Sequence, residues 1–297
     1  PRLQRMSIER AQALASAWAD GPLELHQDGL LWTQPCAVDP KELLMRWQRE
    51  ATENDRLRSL VAQVAMLKAQ EGEWLALDSD GHVIANASTA ILCMGYRSST
   101  VSFPLVQMGL PDAPTNSSLS QSLQPWLTAA GWQLREGHCS RSLLPGVFDP
   151  LVVGLQGEGH QIPLPDGHLL YGPRGRGVSG PLADKQLLHP GVRVSVRDHL
   201  PLVGALPDLD ALHAHWRDLR RNDRLPIPRQ AGLWMLSALG GRGLLWCLPA
   251  AEHLAAQISQ EASPLDARLS AALDPARFLR RALRSGVPDL THALGLA

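Results

Sequence analysis

Two stretches hold residue types whose spacing could do chemistry. In the first, Gly232-Leu233-Trp234-Met235-Leu236-Ser237-Ala238-Leu239 runs into Gly240-Gly241-Arg242-Gly243-Leu244 and on through Leu245-Trp246-Cys247-Leu248-Pro249. The apolar run from Gly232 to Ala238 predicts a strand, the glycines a tight turn, and Pro249 to Ile258 a helix. Glycines let backbone approach a ligand closely, and free N–H groups at a helix start can face negative charge. That suits a phosphate or an electron-rich ring edge, although a helix cap or a plain turn uses glycine as well. The second stretch runs from Gly191 to Asp208. Alternation from Val192 through Val196 predicts a strand with Arg193 on the face opposite Val192, Val194 and Val196. A guanidinium among apolar neighbours is costly to bury unpaired, so Arg193 should meet an anion, either a ligand or an internal carboxylate.

Other constellations say less. Arg277, Arg280, Arg281 and Arg284 recur at i, i+3, i+4 and i+7, and Arg217, Arg220, Arg221 and Arg224 repeat the arrangement. Such a face either contacts a nucleic-acid backbone or is simply solvated. His213 and His215 are too closely spaced for one helical face and lack a third ligand, so no metal site is expected. The cysteines, Cys36, Cys93, Cys139 and Cys247, form no C-x-x-C pair, which argues against zinc and against a dense disulfide framework. No Ser-His-Asp or Cys-His arrangement and no P-loop is visible. Gly172-Pro173-Arg174-Gly175-Arg176-Gly177 lacks dinucleotide-turn spacing and reads as a basic hairpin loop.

The elements that must position these residues are mixed. A helix is expected from a Ser7 cap to about Trp18, ended by Asp20-Gly21-Pro22. Short strands follow at Leu23 to Leu25 and Gly29 to Trp32, then a helix from Asp39-Pro40 with Leu43, Leu44 and Trp47 inward. Strands are expected at Ser59 to Leu67, Glu73 to Asp78 and His82 to Ala87, with a turn at Ser79-Asp80-Gly81. Thr89 to Gly95 is continuously apolar and suits a parallel strand buried on both faces. The pattern is weak from Arg97 to Pro150, and Pro111 to Ser122 reads as a surface connection. Asp166-Gly167 between apolar runs signals a hairpin over His160 to Gly172. Helices are expected at Asp210 to Arg221 and about Pro275 to Arg284.

The chain has 297 residues, 44% hydrophobic and 19% charged, enough to bury a sizeable core in one or two domains. Its net charge is -1, and lysine occurs only at Lys41, Lys68 and Lys185, so positive charge is nearly all arginine. Arginine suits carboxylate and phosphate recognition, and a GC-rich genome gives the same bias. No stretch approaches the ~18 apolar residues of a membrane span, and no signal peptide follows Pro1. A start upstream of Pro1 stays open.

The pattern G-x-R-x-x-x-x-D-x-x-P-x-x-G at Gly191, Arg193, Asp198, Pro201 and Gly204, followed by the strand and turn through Leu244, resembles the C-terminal signature of the D-amino-acid oxidase and glycine oxidase superfamily of flavoproteins. The wording Arg197-Asp198-His199-Leu200-Pro201-Leu202-Val203-Gly204 and the ending Leu273-Asp274-Pro275-Ala276-Arg277-Phe278 resemble more closely the FAD-dependent domain of the bifunctional tRNA 5-methylaminomethyl-2-thiouridine biosynthesis family, MnmC. The resemblance covers roughly Gly21 to Gly95 and Gly157 to Arg284. It implies a mixed α/β (α+β) FAD-linked oxidoreductase fold, with a partial Rossmann-like FAD-binding subdomain interleaved with an antiparallel-sheet substrate subdomain. The implied division is 1–95 as partial FAD-binding subdomain with part of the substrate subdomain, 96–208 as mainly substrate subdomain, and 209–297 as a return to the FAD-binding subdomain with C-terminal helices.

What the family does is remove a carboxymethyl group oxidatively from the tRNA wobble uridine, releasing glyoxylate. By resemblance, Arg193 would hold the substrate carboxylate, and Gly240, Gly241, Arg242, Gly243 and Leu244 would lie beside the flavin ring, with the helix from Pro249 aimed at its pyrimidine edge. Val64 would touch the adenine and Gly95 the pyrophosphate of FAD. The resemblance implies no side-chain base, tRNA and FAD as partners, and an upstream methyltransferase domain outside this chain; the scattered cysteines fit a cytoplasmic location, and the lack of a long apolar run predicts no membrane span. Arg277, Arg280, Arg281 and Arg284 would contact tRNA. The chain departs from the family in lacking the opening G-x-G-x-x-G turn that receives the dinucleotide pyrophosphate, and it reads Gly-Gly-Arg-Gly where relatives usually have Gly-Ser-Arg-Gly. A free amino-acid oxidase and a non-catalytic remnant are the alternatives.

Overall fold

The computed structural model describes residues 23–26, 29–32, 40–53, 57–93, 95, 102–104, 120–122, 124–131, 133–143, 159–163, 168–173, 186–222 and 224–294. The expected helix from Ser7, the turn at Asp20-Gly21-Pro22 and the Asp39 cap lie outside them. The chain divides into two units, one mainly of Ala62–Arg135 and Arg193–Ala297, the other of Ile8–Val61 and Glu136–Val192.

The second unit holds the hairpin β1 (Leu23–His26) and β2 (Gly29–Trp32) and the helix α1 (Pro40–Glu53). Leu43 and Trp47, four residues apart, share the half-buried stripe of α1. Leu44, expected inward, is 62% exposed because it lies a further 100° or so round the helix. In the four-stranded sheet, β10 (Gly159–Pro163) and β11 (His168–Pro173) form the hairpin read from Asp166-Gly167, with Gly159 opposite Pro173. β9 (Gln133–Leu143), which leads the chain out of the first unit, and β12 (Gln186–Ser195), which leads it back, complete the order β10-β11-β9-β12.

Two sheets build the first unit. β3 (Met66–Gln70), β4 (Glu73–Leu77), β5 (Val83–Ala87), β7 (Ser102–Pro104) and β8 (Ser120–Ser122) pair in the order β5-β4-β3-β7-β8. The expected turn forms between β4 and β5, where Asp78 Oδ1 accepts from the Asp80 and His82 amides at 2.9 and 2.8 Å. The expected strand from Ser59 does not: pairing begins at Met66, and Leu60 and Val61 are exposed with no strand paired to them among the described residues.

The second sheet, of order β13-β14-β6, consists of β6 (Ala90–Leu92), β13 (Leu202–Pro207) and the central β14 (Arg229–Ser237). β6 runs parallel to β14, as its apolar run suggested. It is not buried on both faces: Leu92 is 4% exposed but Ile91 is 46% exposed, because β6 lies at the edge of the described sheet. Gly232, at φ +69°, brings β14 against the Ser88 carbonyl, 2.2 Å from where a Cβ would stand.

Helices α2 (Gln124–Ala129), α3 (Leu209–Arg221), α4 (Gly243–Ile258), α5 (Ala267–Leu273), α6 (Arg277–Arg284) and α7 (Leu290–Leu294) belong to this unit. The main core joins Trp126 and Leu127 of α2 to Leu212 and Trp216 of α3, Met235 of β14 and Leu279 of α6. Asp208 caps α3 and Asp266 caps α5 through side-chain carboxylates. α4 starts earlier than expected, at Gly243, so the buried Pro249 lies inside the helix. Proline is tolerated there at the cost of one backbone hydrogen bond, and it reads from sequence as a helix start. Among the described residues, no helix is long and apolar enough to cross a membrane.

Candidate functional site

The chemistry-bearing stretches meet in the first unit. β12 delivers Arg193 to its end, where the side chain is exposed while Val194 and Val196 beyond it are buried at 5% and 0%. β14 ends at Ser237 and turns through a single 3-10 turn, Gly240–Arg242, into α4. A Cβ on Gly241 would stand 3.5 Å from Arg193 Nη1, and one on Gly240 would stand 3.9 Å from the Val194 carbonyl oxygen. The guanidinium therefore lies against the glycine turn.

Gly240 adopts φ +60°, a conformation glycine takes without strain. No side chain caps α4, whose N-cap position is Arg242. The first amides of a helix have no partner within it, so this end carries donors and the positive end of the helix dipole. Gly95, at φ +56°, follows β6, and its carbonyl accepts from the buried Ser237 hydroxyl at 3.5 Å. Gly95, Ser237 and the turn Gly240–Gly243 thus gather at the carboxyl ends of the parallel strands β6 and β14, where open α/β sheets bind ligands. Arg242 and Leu244 are exposed there. Val64 is not at this turn; it is half-buried against the main core.

Because Arg193 is exposed, the burial cost anticipated for it does not arise, and it has no carboxylate partner among the described residues. Its motif companions have another task. Asp198 receives Arg277 Nη2 at 2.8 Å and Nε at 3.0 Å, and Arg281 Nη2 at 2.8 Å. Arg277 also donates to the carbonyls of Pro201, Leu200, Leu273 and Asp274 at 2.9 to 3.2 Å. Burial pushes the Asp198 carboxyl up, but hydrogen bonds and charge from Arg277, then Arg281, more than offset this and hold it below its ordinary value. Gly204, at φ +140°, leaves room for Pro275, whose Cδ would be 3.1 Å from an added Cβ. Asp198, Pro201 and Gly204 therefore tie the segment after β12 to the chain between α5 and α6.

That tie corrects the arginine face read along α6. Arg277 is 5% exposed and fully engaged, Arg280 donates to the Leu225 carbonyl, and Arg281 pairs with Asp198, so the four do not present one free cationic surface. On α3 the helix ends at Arg221 with Asn222 as C-cap, which leaves Arg224 off it. His213 and His215 are exposed, and the His215 ring contacts the Ala211 carbonyl. Asp78, Asp80 and His82 cluster in the β4–β5 turn, engaged in that turn's own hydrogen bonds.

Fold and geometry define a mixed α/β chain with a candidate site of backbone and arginine at the carboxyl ends of parallel strands. No family model matches it. The chain is 32% identical, over an alignment that covers 89% of its length, to the tRNA 5-methylaminomethyl-2-thiouridine biosynthesis bifunctional protein MnmC of Burkholderia cenocepacia. It is 32% identical, over an alignment that covers 95% of its length, to the MnmC protein of Burkholderia thailandensis. The chain is similar to these proteins over most of its own length and spans 41% to 42% of theirs. Among solved structures, iminodiacetate oxidase from Chelativorans sp. BNC1 aligns at TM-score 0.45 and 17% identity, over 76% of this chain and 56% of that one. Glycine oxidase from Geobacillus kaustophilus aligns at TM-score 0.43 and 13% identity, over 72% and 52%. Likenesses of this size carry no argument about the chain.

Proposed function

We propose that the chain is the oxidase part of such a bifunctional protein: a cytoplasmic FAD-dependent oxidoreductase acting on a CH–NH group, which removes the carboxymethyl group from 5-carboxymethylaminomethyl-(2-thio)uridine at the tRNA wobble position and releases glyoxylate. The observation that carries the reading is Arg193 set against the glycine turn that opens α4. An exposed guanidinium without an internal carboxylate is free to take the substrate carboxylate in a bidentate grip. A methyltransferase unit on the longer protein would act next.

The residues fit the ring end of FAD. Gly241 leaves no side chain between the turn and Arg193, none of the described residues stands within 4 Å of a Cβ placed on Gly95, and the uncapped start of α4 supplies donors for an electron-rich edge. In this reading Gly240, Gly241, Arg242, Gly243 and Leu244 line the ring, Gly95 passes the pyrophosphate and Val64 lies toward the adenine. FAD, when bound, supplies the two-electron oxidation of the substrate C–N bond. The chain's own part is to hold the carboxylate at Arg193 and keep the reacting carbon over the turn.

A visible absorbance spectrum of the chain titrated with FAD tests the cofactor. Glyoxylate from modified tRNA, against hydrogen peroxide from free glycine, then separates the tRNA oxidase from a free amino-acid oxidase. A chain that takes up no FAD would leave a non-catalytic remnant as the reading.

A further inference from the structure

Apart from the glycine turn, the first unit has a cleft of about 360 Å³ whose walls include Trp126, Arg197, Phe278, Arg281, Ser285 and Val287. Phe278 is its electrostatic centre. The guanidinium carbons of Arg277, Arg281 and Arg197 stand 4.5, 5.1 and 5.5 Å from the ring centroid. The one carboxylate shared among them is Asp198, taken up by Arg277 and Arg281. Arg197 donates only to the neutral carbonyl of Ala129 among the described residues. The other acid near the cleft, Asp289, is engaged by His292 at 2.8 Å.

Three cations around one ring with one carboxylate leave an excess of positive charge in a concave, partly apolar place, where an anion is attracted more strongly than on an open surface. Trp126 of the cleft wall also has a buried, neutral indole Nε1 donor with no hydrogen-bond partner among the described residues. We propose that this cleft is a phosphate-binding site, with Arg197 and Arg281 gripping the phosphate and the apolar wall around Val287 taking the attached nucleoside. A phosphate carries more acceptor oxygens and more negative charge than a carboxylate, so it answers two guanidinium forks while still carrying a nucleoside. The site does not depend on the oxidase reading, since it shares no residue with the glycine turn.

The phosphate can belong to a nucleic-acid strand or to a free nucleotide, and the test separates them. Inorganic phosphate, uridine monophosphate and a short single-stranded oligouridylate are titrated onto the flavin-free chain over a range of salt. Wild type binds; Arg197→Gln weakens binding by about tenfold or more, and Arg197→Lys, which keeps the charge but loses the fork, restores only part of it. Ser285→Glu, which leaves the arginines intact and places an opposing charge in the cleft, weakens it as well. A thermal unfolding midpoint near wild type verifies that each variant is folded. A strand ligand shows binding of the oligouridylate that exceeds the monophosphate, with a salt slope lowered by about 0.7 to 1 in Arg197→Gln. A free nucleotide shows equal binding of the monophosphate. The proposal is overturned if wild type binds none of the three, or if Arg197→Gln and Ser285→Glu bind as wild type does.

Discussion

Arg193 and Asp198 come from one motif and perform separate tasks. The sequence could place Arg193 on a strand face, because alternation is a local property, and its neighbourhood to Gly241 agrees with the pairing of the two stretches. The partner of Asp198 was not legible, because Arg277 is 79 residues away and its helical spacing reads as a surface face. Removing one member of such a pair leaves a buried charge behind, so Asp198→Asn should cost about 3–5 kcal/mol in a denaturant titration. The folded pKa of Asp198 lies below its ordinary 3.8, so its stabilisation is full above that value and is lost as pH falls toward the folded one. Asp198→Asn should therefore flatten the acid limb of stability; an unchanged limb would contradict the pairing. His253 loses stability in the same direction but for a different reason. Burial lowers its pKa from 6.5, with Asp274 opposing more weakly, and its ring contacts Ser263 and Gln257 at 2.8 Å. The unfolded chain then takes the proton first, so stability should decline as pH drops through about 6.5, and His253→Gln should lessen that decline.

Among the elements, those with a local signature were legible: the 159–173 hairpin, the capped helix α3 and the strand β14. Others depend on what lies beside them. α2 is short and weakly patterned, yet Trp126 and Leu127 are fully buried because α3 and α6 contribute to the same core. The run ending at Gly95 reads as doubly buried, whereas an edge position leaves Ile91 exposed. The start of α4 was misread because Pro249 outweighed the helical apolar residues ahead of it. A close backbone approach likewise has no sequence mark beyond the glycine itself. Gly232→Ala would put a Cβ 2.2 Å from the Ser88 carbonyl at φ +69°. It should destabilise the chain by at least about 1–3 kcal/mol, read as a lowered urea midpoint, and a midpoint equal to wild type would mean that β14 and the 88–90 segment are not so closely packed.

At the scale of the whole molecule, the chain carries the arginine and the glycine turn but spans only about two fifths of its MnmC relatives. The spacing G-x-G-x-x-G occurs in its sequence only at Gly175, Gly177 and Gly180, after β11 rather than ahead of the strands that carry the glycine turn, so ring-side residues have to be tested together with cofactor uptake. The site was legible as two motifs because each is contiguous; that Ser237 and Gly95 join them was not, since a hydrogen bond across 142 residues has no local pattern. The most direct measurement is glyoxylate released from tRNA bearing the carboxymethylaminomethyl group, with FAD supplied and its binding followed by absorbance, for wild type and Arg193→Ala. The account expects release by wild type and, in Arg193→Ala, a loss of about tenfold or more in kcat/KM with FAD binding retained, as befits a charge-assisted bidentate contact to substrate. Equal release by both proteins, or no release by wild type with FAD bound, would contradict it.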